Sequence, residues 1–579
     1  MPLRRLFSVL MLASMLLSPA GVSAAGDNPS GFKTSQPSML TPVMPGVTVT
    51  PLLTVGDVLP SGFRYESIPD GIALRTRGQG RVDLFINHET SKVSFPYNTA
   101  NPTTANSEND FDNSQISHLI LNQGSAGVLN GSFAIPSSAG YQRFCSSYLA
   151  TSKEGFSRDI LFTNEEGLDY VFRQEASWPP TIGDLNEEQV GLVIALDVRT
   201  GQYHPIYGMG RHNHENSVPL PGYNQLVVLS GDDTFTSGPL TVPPGGPLTA
   251  ASMPAQSQLY SYIASDTDAL LADEGDLWAF VSDTPGYNDY YDFVPGSSQT
   301  ITGHFIQVPK NIATGRNADG SAIKAADVGY PLPPTNGSWQ RDLRSIAPVG
   351  LDGPQWVLEY WSALNNVFQF VRIEDIAYDK RANMGNVVYV VDSGRGTAGA
   401  SQPGRSTNGR VWKMVFDPTN PTVVTALSIF VEGDDNPVKT LGEVHQPDNI
   451  ESTLTGILLT EDPGSSQQFP FGSTDPNATT ARLWFAPFVG APQVVAKVDQ
   501  SADGGPTDVD GRPLGNLGAW ETSGIVDASA AFGPGAFLIN IQAHSLWVDK
   551  ADGEDNFAPA GPDFTYKREG GQLLLIRMP

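Results

Sequence analysis

The sequence is poor in cysteine, in basic residues and in long apolar runs. Cys145 is the single cysteine, so no disulfide can form within the chain. A protein of 579 residues without disulfides needs a large core or bound ions to hold it together. Lysine and arginine number 34 against 61 acidic residues, and the formal net charge is −27. This acidity argues against nucleic acids and anionic membranes as partners, and it suits cation binding.

The most apolar stretch lies at the start of the chain. An apolar run at residues 6–17 follows an arginine pair at 4–5, and small residues at 22–24 fit a cleavage site. This pattern predicts an export signal over residues 1–25. The run is too short to span a membrane, and no later run is long enough. We therefore expect residues 26–579 to form a monomeric, periplasmic or extracellular protein without a membrane span. The arginine pair leaves the ordinary and twin-arginine export routes both open.

Helical periodicity and the common catalytic motifs are also scarce. The chain has no Gly-x-Ser-x-Gly elbow, no His-Glu-x-x-His helix, no P-loop and no Cys-x-x-Cys pair. Short apolar, β-branched runs dominate instead, and turn clusters that use many of the 59 glycines and 46 prolines separate them. This pattern predicts an all-β fold. At this length the candidates are a barrel, a pair of sandwiches or a propeller.

A repeated unit decides among these candidates. The unit is an acidic residue, usually with Ile soon after, then a turn, then an apolar strand that ends in a polar cluster. Its first positions are Asp70, Cys145 (a weaker copy without the acid), Glu215, Glu374, Asp448 and Glu521. The intervals are 75, 70, 159, 74 and 73 residues. This spacing predicts a single-domain six-bladed β-propeller with long loop insertions. The long interval predicts an insertion at about 236–345 or, alternatively, a seventh blade.

The repeat also predicts a metal-binding channel. The innermost strands of a propeller surround a central channel, so residues at one position of the unit form a ring. Many carboxylates around one axis repel each other unless cations are bound, and oxygen donors favour Ca²⁺ or iron. The predicted metal ligands are Glu89, Glu165, Glu166, Glu215, Glu374, Asp448, Glu461 and Glu521. His88, His214 and His445 fall in the same clusters and are candidates for orienting ligands or protonating a leaving group.

The order of the motifs resembles one family. Over about residues 50–550 the chain resembles the PhoX-type alkaline phosphatases. The motifs that carry the resemblance are, in order, IPDGI, FINHE, TNEE, GRHNHE, SGDD with LYSYI soon after, RIEDI and QPDNI. The resemblance implies an exported six-bladed propeller whose channel holds iron and calcium and hydrolyses phosphate monoesters. It implies metal-binding roles for Glu89, Glu165, Glu215 and Glu374. It also implies that Arg372 binds phosphate.

The chain departs from the family at one important place. The family motif Thr-Cys-Glu-Glu, whose cysteine bridges the irons, is Thr163-Asn164-Glu165-Glu166 here. Asparagine cannot supply a bridging thiolate, and Cys145, 19 residues earlier, is no obvious substitute. The proline that the family has between the arginine and the glutamate is Ile373. We therefore expect calcium as the cofactor, with iron in question.

These patterns favour an exported, metal-dependent phosphoester hydrolase that acts on small-molecule phosphate monoesters. The candidate catalytic residues are Arg372, His88, His214 and His445. Two alternatives stay open. One is a calcium-dependent lactonase or esterase on the same propeller plan, in which His544 could serve. The other is a non-enzymatic exported protein that calcium stabilises.

Overall fold

The structure is a computed structural model of the chain. It describes residues 30–89, 114–167, 170–172, 187–234, 257–296, 298–333, 352–394, 408–433, 440–463, 474–500, 517, 520–549 and 564–579. The predicted export signal at 1–25 lies outside the described residues. Antiparallel strands dominate the described part and its helices are short, so the predicted all-β class is confirmed. No helix in this part is long and apolar enough to cross a membrane.

Two short strands precede the first large sheet. They are β1 (Leu40–Pro42) and β2 (Thr48–Thr54). The first sheet then follows chain order through β3 (Pro69–Gly78), β4 (Arg81–His88), β5 (Gln115–Asn122) and β6 (Val128–Ile135). Strand β4 is buried at every position after the first. Both faces of such a strand are covered, which explains why its sequence is a continuous apolar run and does not alternate.

The second sheet is built from strands that a small hairpin interrupts. The strands are β7 (Phe144–Ala150), β8 (Ile160–Glu165), β9 (Tyr170–Phe172), β10 (Glu187–Gln189), β11 (Val193–Asp197) and β12 (Gln202–Ile206). The sheet order is β12-β11-β8-β7, and β9 pairs separately with β10.

A nine-stranded sheet forms the next part of the chain. Its elements begin with β13 (His214–Leu220), β14 (Leu226–Asp232), β15 (Leu259–Ala264), α1 (Thr267–Leu271), β16 (Asp276–Ser282) and β17 (Thr300–Gln307). They continue with α2 (Lys310–Thr314), α3 (Pro354–Leu364), β18 (Ile373–Tyr378), β19 (Val387–Asp392), β20 (Arg410–Phe416) and β21 (Val423–Glu432). The sheet order is β13-β14-β15-β16-β17-β21-β20-β19-β18. Strands β15 to β17 come from the region 236–345, and they extend the sheet that β13 and β14 begin.

The last two sheets each recruit a strand from the start of the chain. One contains β22 (Pro447–Ser452), β23 (Gly456–Glu461), β24 (Arg482–Pro487) and β25 (Gln493–Val498), with β1 added beside β25. The other contains β26 (Glu521–Asp527), β27 (Ala536–Asp549) and β28 (Phe564–Arg577), with β2 added beside β28. A short helix, α4 (Ser529–Phe532), joins β26 to β27. These pairings fasten the N-terminal segment to the C-terminal sheets.

The first strands of these sheets surround a central channel. Strands β3, β7, β13, β18, β22 and β26 lie side by side in that order, and β26 lies again beside β3. The two ends of the nine-stranded sheet, β13 and β18, are therefore neighbours in the ring. This is a propeller-like arrangement, as the sequence predicts.

Aromatic packing fills the space inside the nine-stranded sheet. Trp412 of β20 is fully buried. Its ring meets Tyr290, Phe293 and Phe370 with centroids 5.6, 4.9 and 5.6 Å away, all near perpendicular. Edge-to-face contacts of this kind add to the stabilisation that burial of the rings provides.

Glycines allow the inner strands to approach closely where the repeat begins. A Cβ on Gly71 of β3 would lie 2.7 Å from the Ser146 backbone carbon of β7. A Cβ on Gly524 of β26 would lie 2.9 Å from the Gly71 Cα. Both contacts involve backbone, which has little freedom to move. The absence of a side chain therefore sets the spacing of three neighbouring strands at this level.

Gly71→Ala should lower the free energy of unfolding by about 1–3 kcal/mol, because overpacking forces the backbone of β7 to move. Denaturant unfolding of the purified protein measures this change. Gly442→Ala is the matched control, because a Cβ there would meet nothing within 4 Å. Equal unfolding midpoints for the two variants would contradict the close-approach account.

Candidate metal centre

All six inner strands carry the same irregularity near their start. In each one, two residues face a single residue of the next strand, which defines a β-bulge. The bulge pairs are 70–71, 145–146, 215–216, 374–375, 448–449 and 523–524. Bulges can re-aim a side chain out of the regular ladder. The recurrence of the bulge therefore gives the repeat a shared structural role.

The bulges define which residues share one level of the channel. Asp70, Cys145, Glu215, Glu374 and Asp448 occupy the first bulge position, in agreement with the repeat. The sixth strand differs, because its first bulge residue is Ser523. Glu521 lies two residues before the bulge.

Seven side chains at this level form three overlapping groups. They are Asp70, Glu89 and Cys145; Cys145, Glu166 and Glu215; and Glu215, Asp233 and Glu374. Within each group the possible ligand atoms lie within 4.8 Å of one another. Cys145 belongs to the first two groups and Glu215 to the last two. The described residues thus offer three adjoining positions for a cation.

Hydrogen bonds from neighbouring strands orient these donors. The Cys145 thiol donates to Asp70 Oδ2 at 2.7 Å, and the Ser523 hydroxyl donates to Asp70 Oδ1. The Ser146 hydroxyl donates to Glu215 Oε1 at 2.9 Å, and Gln542 Nε2 donates to Glu89 Oε1 at 3.0 Å. Secondary contacts of this kind fix the direction of metal ligands.

Burial and mutual repulsion dominate the electrostatics. Burial first, and then Glu166 and Glu374, raise the pKa of Glu215 well above its ordinary value. Burial and Asp233 raise the pKa of Glu166 to about 7, although nearby arginines oppose the shift. The pKa of Cys145 is raised by burial, with Asp70 and Glu215 adding to it. These groups resist ionisation unless positive charge is added, and a bound cation supplies that charge.

Arg372 lies at the edge of the third group. Its Nε and Nη2 donate to the two carboxylate oxygens of Asp233 at 2.8 and 3.0 Å. Its Nη2 also lies 3.0 Å from Glu374 Oε1. The Arg372 side chain is 20% exposed, whereas those of Asp233 and Glu374 are 1% and 5% exposed. A guanidinium group thus lies between the buried carboxylates and open space.

The donor set fits metal ions. Carboxylate oxygens suit Ca²⁺, and a thiolate suits iron or zinc. Gln542 and Asn449 add a second observation, because each is buried with a side-chain oxygen that has no hydrogen-bond partner among the described residues. The Gln542 amide contacts Glu89, and the Asn449 amide contacts Ser146 at 2.7 Å. An unpaired buried acceptor is costly, and a cation nearby would offset that cost.

Comparison with protein-family models finds no match, and comparison with curated proteins finds none. Among solved structures, the chain is similar to Pseudomonas fluorescens PhoX in complex with vanadate, a transition state analogue. The TM-score is 0.53 and the identity 14%, over 94% of this chain and 98% of that chain. The chain has a PhoX-like fold.

Two further solved structures are similar at lower scores. A protein of unknown function from Dyadobacter fermentans has a TM-score of 0.33 and 12% identity, over 92% of this chain and 100% of that chain. A sialidase from Trypanosoma rangeli has a TM-score of 0.30 and 10% identity, over 92% of this chain and 59% of that chain.

The structure separates the predicted ligands into different environments. Glu89, Glu166, Glu215 and Glu374 come together in the three groups. Asp448 and Glu521 lie beside them: Glu374 raises the pKa of Asp448, and Asp462 raises that of Glu521, in both cases after burial. Glu165 lies outside the groups, and its Oε1 accepts from the Gln142 backbone at 3.0 Å.

Glu461 lies in a different environment from the three groups. Its carboxylate accepts from Arg482 Nη2 at 2.8 Å and Nε at 3.0 Å, and from Trp484 Nε1 at 2.8 Å. It also accepts from the His445 backbone at 2.7 Å. This buried ion pair satisfies both oxygens, and Glu461 stays a predicted ligand that lies outside the three groups.

The three candidate catalytic histidines make hydrogen bonds to neighbouring elements. His214 accepts or donates at both ring nitrogens, to Ser230 at 2.7 Å and to the Gly210 carbonyl at 3.1 Å. His88 contacts Ser117 at 2.7 Å, and burial lowers its pKa to about 3. His445 donates from Nε2 to the Thr440 carbonyl at 2.9 Å. These bonds hold the three rings against neighbouring elements, and the catalytic roles of the three histidines stay predictions. His544 lies in β27, and its side chain is outside the described residues.

Cys145, which we expected to be no obvious substitute for the family cysteine, lies in the candidate site. Cys145 is distant from the Asn164 motif in sequence, but its Sγ belongs to two of the three donor groups. Asn164 serves the scaffold instead, because it donates to the Ser146 carbonyl at 3.1 Å and accepts from Ser217 at 2.7 Å. The repeat did indicate that Cys145 lies near the acids, because Cys145 occupies the same position of the repeated unit. Asp233 is the last residue of the SGDD motif but was not among the predicted ligands.

Metal removal should destabilise the protein more at pH 8 than at pH 5. A buried carboxyl with a raised pKa binds more protons folded than unfolded, so metal-free stability falls as pH rises from about 4.5 through about 7. One such group contributes up to about 3 kcal/mol to this change in the free energy of unfolding. Melting temperatures with EDTA and with calcium at both pH values measure the effect.

Glu166→Gln is the matched variant, because it removes one titrating carboxyl and should flatten the pH dependence of the metal-free protein. An EDTA-induced shift of equal size at pH 5 and pH 8 would count against repulsion as its cause.

Proposed function

We propose that the protein is an exported, metal-dependent phosphoester hydrolase that acts on phosphate monoesters of small molecules. The observation that carries this proposal is the position of Arg372. Its partly exposed guanidinium adjoins Asp233 and Glu374, which belong to a group able to hold a cation. A phosphoryl group placed there would meet cations on two sides. Such fixed positive charge is what phosphoryl transfer requires.

The donor chemistry suggests how ions would be distributed. The group of Glu215, Asp233 and Glu374 offers oxygen atoms alone and suits Ca²⁺. The two groups that share Cys145 also offer a thiol sulfur and suit iron. When bound, such ions would polarise phosphoryl oxygens and lower the pKa of a bound water.

The side chains of the protein would then orient the substrate. Asp233 and Glu374 hold Nε and Nη2 of the Arg372 guanidinium group, so Nη1 is the nitrogen that would donate to phosphoryl oxygens. Asp233 holds that group by two contacts, and Ser393 donates to Glu374 beside it. These contacts restrict the side-chain motion of Arg372 and Glu374. Restricted motion reduces the entropic cost of binding in the reactive geometry.

The fold supports the proposal. The chain has a PhoX-like fold, and the PhoX structure contains vanadate as a transition state analogue. We further infer six blades, with β13–β17 and β18–β21 as two blades that join at their outer strands. The six inner strands and their six bulges support this count. Export is retained as a prediction that rests on residues 1–25.

Replacing Arg372 should reduce phosphatase activity strongly. Arg372→Ala removes the guanidinium cation, and we expect kcat/KM for p-nitrophenyl phosphate to fall at least about a hundredfold. Arg372→Lys keeps the charge but loses the planar fork, so it should recover only part of the activity. Arg199→Ala is the control, because Arg199 is exposed in the β11–β12 turn.

The same assays separate the alternatives. Lactone or uncharged ester hydrolysis that survives Arg372→Ala would favour a lactonase or esterase. A metal-loaded protein that hydrolyses neither substrate class, but melts at lower temperature with EDTA, would favour a structural role for calcium.

Cys145→Ser should lower the bound iron while it leaves calcium nearly unchanged, because serine cannot supply a thiolate. Elemental analysis of protein purified without chelators measures both metals. Cys145 is the single cysteine, so thiol labelling of the native protein reports on this side chain alone. Labelling that is equally fast before and after metal removal would argue against a Cys145–metal bond.

A further inference from the structure

Arg143 occupies the same level of the channel as Arg372. Each lies two residues before the first bulge position of its inner strand, Cys145 in one case and Glu374 in the other. The corresponding residues of the other strands are Ile68, Asn213, Gln446 and Glu521. Five of these six positions are polar. The level next to the metal centre therefore forms a polar rim.

The contacts of Arg143 place it beside the second donor group. Its carbonyl accepts from the Glu166 backbone N–H at 3.0 Å. Its Cδ lies 3.9 Å from the place where a Cβ of Gly167 would be, so the side chain runs along the Glu166–Gly167 segment. Arg143 is half-buried, and its φ of 48° lies in the left-handed region that non-glycine residues seldom adopt. Non-glycine residues in such conformations cluster at functional sites.

The two arginines approach the donor array from different elements. Arg372 contacts the group of Glu215, Asp233 and Glu374, whereas Arg143 adjoins Glu166 of the neighbouring group. The two groups adjoin, because Glu215 belongs both to the group of Glu166 and to the group that Arg372 contacts. Two cations thus flank one segment of an otherwise acidic channel.

We propose that Arg143 is the second arm of an anion clamp and that it selects phosphate monoesters carrying a further anionic group. Arg372 holds the phosphoryl group, and Arg143 meets a carboxylate or second phosphate on the same substrate. The preferred substrate class is therefore small organic phosphates with two acidic groups. The substrate class rests on the proposed function, whereas the clamp itself can be tested by binding alone.

A purely neutralising role for Arg143 makes a different prediction. If Arg143 served Glu166 alone, its loss would alter metal binding and would affect all phosphate monoesters equally. A recognition role affects one class of substrate more than another. The distinguishing quantity is thus a ratio between two substrates of similar size.

The test compares 3-phosphoglycerate with glycerol 3-phosphate on the metal-loaded, full-length protein. Both are three-carbon phosphate monoesters, and the first carries a carboxylate where the second carries a hydroxymethyl group. Arg143→Gln should lower kcat/KM for 3-phosphoglycerate about tenfold more than for glycerol 3-phosphate, the size expected for loss of one charge-assisted hydrogen bond. Arg143→Lys should restore part of the ratio, and Arg199→Gln should leave the ratio as in the wild type.

Measuring the Kd values of the same two compounds by calorimetry gives an independent test of the clamp. If neither is hydrolysed, the proposed function fails, and a tenfold change in the ratio of Kd values would still support the clamp. Three outcomes would overturn the clamp proposal. They are equal losses for both compounds, an unchanged ratio between them, and no binding of either compound by the wild type. Melting temperature and metal content must match the wild type. If Arg143→Gln fails to fold, Arg143→Lys carries the comparison.

Discussion

Repulsion among buried carboxylates around one axis is the constraint on which the rest of the structure depends. Six inner strands converge, and most of them bring an acid to the same level. Gly71 and Gly524 allow strands there to approach closely. Burial, and then the neighbouring carboxylates, raise the pKa values of Glu215 and Glu374 well above normal. The fold therefore brings together carboxylates that repel one another, and bound cations can offset this repulsion.

The sequence predicted the fold class because the inner strands repeat in register. Their bulges and buried acids recur at nearly constant intervals, which periodicity can detect. The region of strands β15 to β17 contains no acid-then-Ile unit, so the pattern offered no reason to join them to β13 and β14. The pairing of β17 with β21 was also beyond prediction. It joins outer strands, whose sequences need only pack against neighbouring sheets.

The site was predictable at the level of the ring and less so at the level of single residues. Cys145 was in register with the acids, but the motif comparison directed attention to Asn164. Glu165 and Glu166 are adjacent in sequence, yet only Glu166 joins a donor group. The ion pair between Glu461 and Arg482 spans two strands, so it depends on tertiary contacts that a strand-end motif does not encode. A shared position thus predicts proximity, whereas the partners of each group decide its role.

The polar rim changes the local charge of the acidic channel. A channel lined by carboxylates alone would attract cations and repel phosphate. Arg372 reverses the local sign where it is 20% exposed, and Arg143 lies at the same level beside Glu166. An anionic substrate would add negative charge where bound cations and two guanidinium groups supply positive charge. The placement of arginine one level from the acids would therefore reconcile the proposed metal-binding interior with the proposed recognition of an anion.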